Sequence, residues 1–243
     1  MKKNLYIVTG SSKGLGKSLV EALVREELNY IIGISRSGLS LQQDNYIDLK
    51  IDLSDTNSLI KQLDKIFPDQ VYDRLVLINN AGLIGEIGPL GKLAPEGIVE
   101  LYAVNVIAPA VLMNAYINKY KDLQAEKLVI NISSGAAGKN MDGWAGYSSS
   151  KAALNRMTEI AQEESKLHHH DIQYFALSPG IIDTPMQEAI RSASNQDFSH
   201  VETFKDYKDN HQLSSPKEVA EKIMYLIENV DSFNGVLQDV RKF

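Results

Sequence analysis

The chain has no cysteine. That excludes disulfides, thiolate metal ligands and a cysteine nucleophile, and it agrees with a reducing compartment. It also has no excess of positive charge: 25 Lys and Arg stand against 31 Asp and Glu, a formal −6. A nucleic-acid partner ordinarily shows as a basic face or a high pI. Long apolar runs are missing too. The first, within MKKNLYIVTGSS, stops at Thr9-Gly10, short of a signal-peptide core, and no stretch approaches the roughly 18 apolar residues of a membrane span. These absences predict a cytoplasmic protein with neither nucleic acid nor membrane as partner. What is present is ordinary for a globular chain: 243 residues, 44% hydrophobic and 23% charged, enough for one large core.

Apolar runs at 5–9, 30–35, 47–52, 74–79, 127–133, 172–178 and 235–240 read as strands. Several are apolar almost throughout, as strands covered on both faces are. Helical patterns near 15–28, 55–67, 95–120, 147–167 and 216–230 separate them, and Ser215-Pro216 with Glu218 supplies a start signal for the last. The alternation predicts an α/β chain, one domain over 1–243, with a doubly wound and mostly parallel sheet. The polar segment 185–213 has few strong caps and is expected to form a lid over a substrate. His168, His169 and His170 fall at a helix end with no carboxylate spacing beside them; a solvated loop is expected there, and no metal.

Directly after the first strand comes Thr9-Gly10-Ser11-Ser12-Lys13-Gly14-Leu15-Gly16 and then a helix. Glycines let backbone turn sharply and approach a phosphate, and a helix N-terminus offers free N–H groups. Where many dinucleotide sites place an acidic residue against the ribose 2′-OH, this chain has Ser35-Arg36. A carboxylate would repel a 2′-phosphate, whereas Arg36 could grip it, Ser35 donate to it, and Lys13 add charge nearby. The expected cofactor is NADP(H).

Tyr147 and Lys151 lie four apart in GWAGYSSSKAAL, on one helix face. An ammonium about 4 Å from a phenol favours the phenolate by ~4 kcal/mol at an effective dielectric near 20, before screening. Lys151 is therefore expected to lower the Tyr147 pKa, making it a usable acid and, in reverse, a base. Asn105 precedes Pro109 by four residues. Proline has no N–H, so the helix bond to the Asn105 carbonyl is expected to be missing.

TGxxxGxG, Asn79-Asn80-Ala81-Gly82, Ser134, YxxxK and Pro179-Gly180-Ile181-Ile182-Asp183-Thr184 occur together, in this order, from Thr9 to Thr184. In that combination the chain resembles the short-chain dehydrogenase/reductase family. INISS, the GWAxY before the lysine and SPGIIDTPMQEAIRSAS narrow the resemblance to the sepiapterin reductases and the benzil reductases that form (S)-benzoin, with ISSGAAGKN and IRSASNQDFSH closest to the latter.

The resemblance implies a single-domain Rossmann fold with a seven-stranded sheet and helices on both faces, and hydride exchange between NAD(P)H and a carbonyl. It implies catalysis by Tyr147, Lys151, Ser134 and Asn105, with Ser134 holding the substrate oxygen, Lys151 also binding the nicotinamide ribose, Asn105 holding a water in a proton path, and Tyr147 and Asn105 bordering the cofactor as well. Gly10, Ser12, Lys13, Gly14, Leu15 and Gly16 would cradle the phosphates, and Ser35 and Arg36 the adenosine end. Asp52 and Leu53 would border the adenine, and Asn79, Ala81 and Gly82 the ribose side. Pro179, Gly180, Ile182 and Thr184 would flank the nicotinamide. Ile84, Met141, Trp144, Met186 and Gln187 are candidates for an apolar substrate pocket, and Asp239 sits where sepiapterin reductases anchor a pterin. The expected substrate is a vicinal diketone reduced to an α-hydroxyketone, with sepiapterin reduction as the alternative. A non-catalytic NADP-binding regulator is disfavoured because Tyr147 and Lys151 are both kept. Nucleotide-sugar isomerase or dehydratase chemistry usually needs a longer chain. A homodimer, paired through the helices bearing Asn105 and Tyr147, is the expected assembly.

Overall fold

The computed structural model describes residues 3–243. Seven strands, β1 (Asn4–Thr9), β2 (Asn29–Ser35), β3 (Tyr46–Lys50), β4 (Arg74–Asn79), β5 (Glu126–Ile132), β6 (Ile172–Ser178) and β7 (Leu237–Asp239), form one sheet in the order β3-β2-β1-β4-β5-β6-β7. All six pairings are parallel, so the sheet expected to be mostly parallel is wholly so.

Alternation along the strands builds two cores. Leu5, Ile7, Leu75, Leu77 and Val129 point to one face, onto Leu59, Leu112, Tyr116 and Ala161. Tyr6, Val8, Val76, Ile78 and Leu128 point to the other, onto Leu19, Leu23, Ile223 and Leu226. The first face carries α2 (Thr56–Lys61), α3 (Leu63–Ile66), α4 (Pro95–Tyr102), a π-helical turn (Ala103–Ile107), α5 (Ala108–Tyr120) and α6 (Ala145–Leu167); the second carries α1 (Gly14–Leu23) and, late in the chain, α9 (Pro216–Glu228). Strand order reverses between β1 and β4, so the chain ends of both strands open a crevice, the usual ligand position in such sheets.

Several boundaries differ from the expected ones for local reasons. Helix α1 stops at Leu23, five residues early, because Asn29 Nδ2 donates to the Leu23 carbonyl and Asn45 Nδ2 to the Val24 carbonyl. These bonds satisfy orphan C-terminal acceptors. Helix α9 begins where expected, with Ser215 and Glu218 closing a reciprocal capping box. The segment 185–213 is not merely polar loop: it forms α7 (Pro185–Arg191) and α8 (Val201–Asp209). Neither has a side-chain cap. They are held by a third cluster, in which Ile190, Phe198, Val201 and Phe204 pack on Trp144 and Tyr147.

The helical run Pro95–Tyr120 is, by length and composition, apolar enough to cross a membrane, contrary to the reading that no stretch approaches a span. Its hydropathy comes from many small and uncharged residues rather than from an unbroken apolar run. One side packs under the sheet through Leu112, Tyr116 and Tyr120, while Val99 and Ile107 are exposed.

Candidate active site

Thr9 ends β1 with its hydroxyl accepting from the Asn80 and Ala81 N–H groups, at 2.9 Å each, and Asn80 Nδ2 donates back to the Thr9 carbonyl at 2.9 Å. The glycine turn and the NNAG turn are thereby latched across the switch point. Gly10 takes a positive φ of 67°, and a Cβ there would meet Asn80 Nδ2 at 2.9 Å. A Cβ on Gly16 would lie 2.2 Å from the Gly10 carbonyl oxygen, so no other residue fits without moving the turn.

A cavity of about 550 Å³ opens in front of these turns. Gly10, Ser12, Lys13, Gly14, Leu15, Ser35, Arg36, Asp52, Leu53, Ala81, Gly82, Tyr147, Lys151, Pro179, Ile182 and Thr184 line it, as do Asn80 and Ile84. Asp52 accepts from the Ser54 N–H and hydroxyl at 2.9 and 2.7 Å, which turns the chain after β3. Arg36 reaches Glu100 at 3.6 Å with both side chains largely exposed. Such a pair contributes only about 0–1 kcal/mol, so the guanidinium is free to exchange Glu100 for a stronger anion.

Four expected cofactor residues, Gly16, Asn79, Gly180 and Asn105, do not line this cavity. Gly16 is buried behind the turn, where it packs on Gly10. Asn79 is buried behind the cavity, donating to Asn131 Oδ1 at 2.8 Å, while Asn131 donates to Thr158 at 2.8 Å. That chain ties β4, β5 and α6 together. The neighbour Asn80 faces the cavity instead, because successive residues beyond a strand end point in opposite directions. Gly180 lines a second cavity, against the stem of Arg241.

Lys151 is buried, and its ammonium donates to the Ile132 carbonyl at 2.8 Å. Burial pushes it down to about 8. Burial pushes the Tyr147 phenol up, and a hydrogen bond with Ser134 pulls it the other way. The expectation that Lys151 would lower Tyr147 is thus corrected. Both groups have left water, and the lysine proton is directed at a backbone carbonyl. A raised phenol stays protonated at neutral pH, which is the form a proton donor needs.

Asn105 lines neither cavity. Its Oδ1 accepts from Leu83 N at 2.8 Å, and its Nδ2 donates to the Leu83 carbonyl at 2.9 Å and to Ser150 Oγ at 3.0 Å. The side chain so ties the turn after β4 to α6. The helix is irregular here: Ala108 N–H reaches the Ala103 carbonyl, a five-residue bond. Pro109 has no N–H to resume the α register at Asn105. A Cβ on Gly82 would sit 3.3 Å from Lys151 Nζ and 3.6 Å from Asn105 Oδ1, so both flank that glycine.

The second cavity, about 560 Å³, adjoins the first. Ser134 and four of the candidate pocket residues, Met141, Trp144, Met186 and Gln187, line it, together with Lys139, His200, Phe204, Tyr207 and Arg241, which local sequence gave no reason to select. Trp144 stacks on Phe198 with centroids 4.9 Å apart and meets Tyr147 edge-on at 5.5 Å. Among the expected pocket residues, Ile84 lies in the first cavity. Asp239 lines neither; its carboxylate accepts from Arg241 Nε at 2.9 Å and from Nη2. Tyr147, Pro179, Ile182, Thr184 and Met186 line both cavities.

The profile of the short chain dehydrogenase family matches residues 4–195. A benzil reductase ((S)-benzoin forming) of Bacillus subtilis is 32% identical over 243 residues, covering 98% of this chain and 99% of the relative. A sepiapterin reductase of Xenopus laevis is 28% identical, covering 92% and 90%. A crystal structure of a short chain dehydrogenase/reductase from Saccharomyces cerevisiae superposes with a TM-score of 0.83 at 25% identity, covering 98% of this chain and 96% of that one.

Proposed function

The chain belongs to the short-chain dehydrogenase family, and from that premise we propose that it is an NADPH-dependent reductase of vicinal diketones, giving α-hydroxyketones such as (S)-benzoin. The observation that carries this reading is the shared wall: Tyr147 lines both the dinucleotide-sized cavity and the aromatic one beside it. The first cavity suits a dinucleotide, since Gly10 and Gly14 take positive φ and bring bare backbone to its floor. The bound nicotinamide would supply the hydride.

The protein's own groups supply the rest. Ser134 hydrogen-bonds the substrate carbonyl, polarising it. Tyr147 gives its phenolic proton to the oxygen as negative charge develops there. Lys151 holds positive potential beside that oxygen and binds cofactor hydroxyls, and Asn105 braces the turn that flanks it. The consumed set is diketone, NADPH and one proton; the products are α-hydroxyketone and NADP+. The aromatic wall of Trp144 and Phe204, backed by the buried Phe198, excludes water and suits an aryl limb, while α7 and α8 serve as the lid.

Sepiapterin reduction is the weaker reading, because the carboxylate of Asp239 is occupied by Arg241 rather than offered to a pterin. The test is NADPH oxidation by purified protein with benzil, run beside sepiapterin. Rapid turnover of benzil and little of sepiapterin is expected; the reverse would replace the substrate, and no NADPH loss with either would overturn the diketone and pterin readings alike.

NADPH preference should reside in Arg36. Arg36→Ala is expected to lower the ratio of kcat/KM for NADPH over NADH by on the order of tenfold to a hundredfold, the worth of a charge-assisted bond to phosphate. An unchanged ratio would move the 2′-phosphate elsewhere. The protein is proposed to pair as a homodimer through the helical run Pro95–Tyr120, which bears Asn105, and through α6, which bears Tyr147; Val99 and Ile107 on the first and Ile160 on the second are exposed. Ile160→Glu combined with Val99→Glu should halve the mass seen by light scattering.

A further inference from the structure

The second cavity has an uneven charge that neither its walls nor the chain's −6 anticipates. Among the described residues no Asp or Glu lines it, while Lys139, Arg241 and His200 do. Arg241 is a built feature rather than a stray surface cation. Its stem lies on the Pro179-Gly180 turn, with Cγ and Cδ 3.6 Å from where a Gly180 Cβ would be. Its guanidinium is fixed by two bonds to Asp239, whose carboxylate also accepts from the Arg241 N–H at 3.0 Å.

The pair is asymmetric: the Asp239 side chain is 18% exposed and the Arg241 side chain 62%. The carboxylate is the buried support and the guanidinium the outward face. Of five N–H donors on a guanidinium, Asp239 engages two groups, which leaves hydrogens for a ligand in the geometry that suits carboxylate or phosphate. Lys139, exposed on the turn after Ser134, adds a second cation to the same cavity. The reacting carbonyl must sit deep, at buried Tyr147, so an anion meeting these exposed cations lies at the mouth.

Resting on the proposed reductase reading, we propose that the natural substrate is an anionic dicarbonyl, with a carboxylate on the limb remote from the reacting carbonyl, and that Arg241, held by Asp239 and assisted by Lys139, is the residue that selects it. Asp239 is then a positioning residue for that guanidinium.

The test compares benzil with 4-carboxybenzil in steady-state NADPH oxidation, the reported quantity being the ratio of their kcat/KM values. The wild-type ratio should favour the anion by about tenfold or more, expressed mainly in KM, as a charge-assisted contact predicts, and should fall as salt is raised. Arg241→Gln should return the ratio to near one, Arg241→Lys should restore part of it, and Lys139→Gln should lower it less. A wild-type ratio of one or below, or a preference that survives Arg241→Gln, overturns the inference. Failure to reduce benzil and 4-carboxybenzil alike would instead overturn the diketone reading on which it rests.

Discussion

Tyr147→Phe is expected to lower kcat for benzil reduction by about a thousandfold, within the range that a positioned general acid contributes, while NADPH still binds within a few-fold of wild type. The substitution removes one oxygen and keeps the ring, which is wedged against Trp144 and belongs to the cluster that seats Phe198 and Phe204. The pocket should therefore keep its shape, and the loss should be confined to the transition state, appearing in kcat and kcat/KM together. Titration of NADPH fluorescence separates binding from chemistry. Turnover within tenfold of wild type would mean that another group protonates the oxygen. Ser134 is the one to suspect, since it is the group that pulls the phenol pKa down against burial and lines the same cavity.

The distinction between Tyr147 and its surroundings shows what the sequence could disclose. Strands were legible because β1, β2, β4, β5 and β6 are apolar on both faces, a local property. The glycine turn and YxxxK were legible because their chemistry depends on neighbours one turn away. Helices α7 and α8 were not. They lack side-chain caps and owe their existence to Phe198, Val201 and Phe204 meeting Trp144, more than fifty residues earlier in the chain. Asn79 and Asn80 could not be told apart by type, and only their positions about the end of β4 send one behind the sheet and the other to the cavity. The Asp239–Arg241 pair was hidden from the sequence for a related reason. A carboxylate in a plausible place reads as a ligand-binding group until its own partner is known, and that partner, two residues away, is the one that lines the cavity.

The same limit applied to Lys151. Spacing from Tyr147 gave its face of the helix but not its burial, and burial decides its energetics. Folding takes the ammonium out of water and pushes its pKa to about 8 from the ordinary 10.5. Between those values the unfolded chain holds a proton that the folded chain lacks, so stability rises with pH across that window and is lost as pH falls through about 8. At pH 7 the full penalty applies, about 3 kcal/mol. Lys151→Met keeps the stem and removes the charge. It leaves the Ile132 carbonyl without its donor, which returns about 1 kcal/mol of that gain. The cofactor-free variant should thus be more stable than wild type by about 2 kcal/mol at pH 7, a rise in Tm of roughly 5 °C for a chain of this size, and the advantage should vanish above pH 10.5. Activity should move the opposite way. Wild-type kcat/KM for benzil should decline as pH rises through about 8, when the free enzyme loses the ammonium, whereas the variant should be slow by about a hundredfold or more and insensitive in that range. Thermal melts at pH 7 and above 10.5, taken with the two pH–rate profiles, check both halves. A variant less stable than wild type at pH 7 would mean that the buried ammonium is already compensated in the folded protein. A flat wild-type profile would mean that positive charge at Lys151 is not what drives proton delivery from Tyr147.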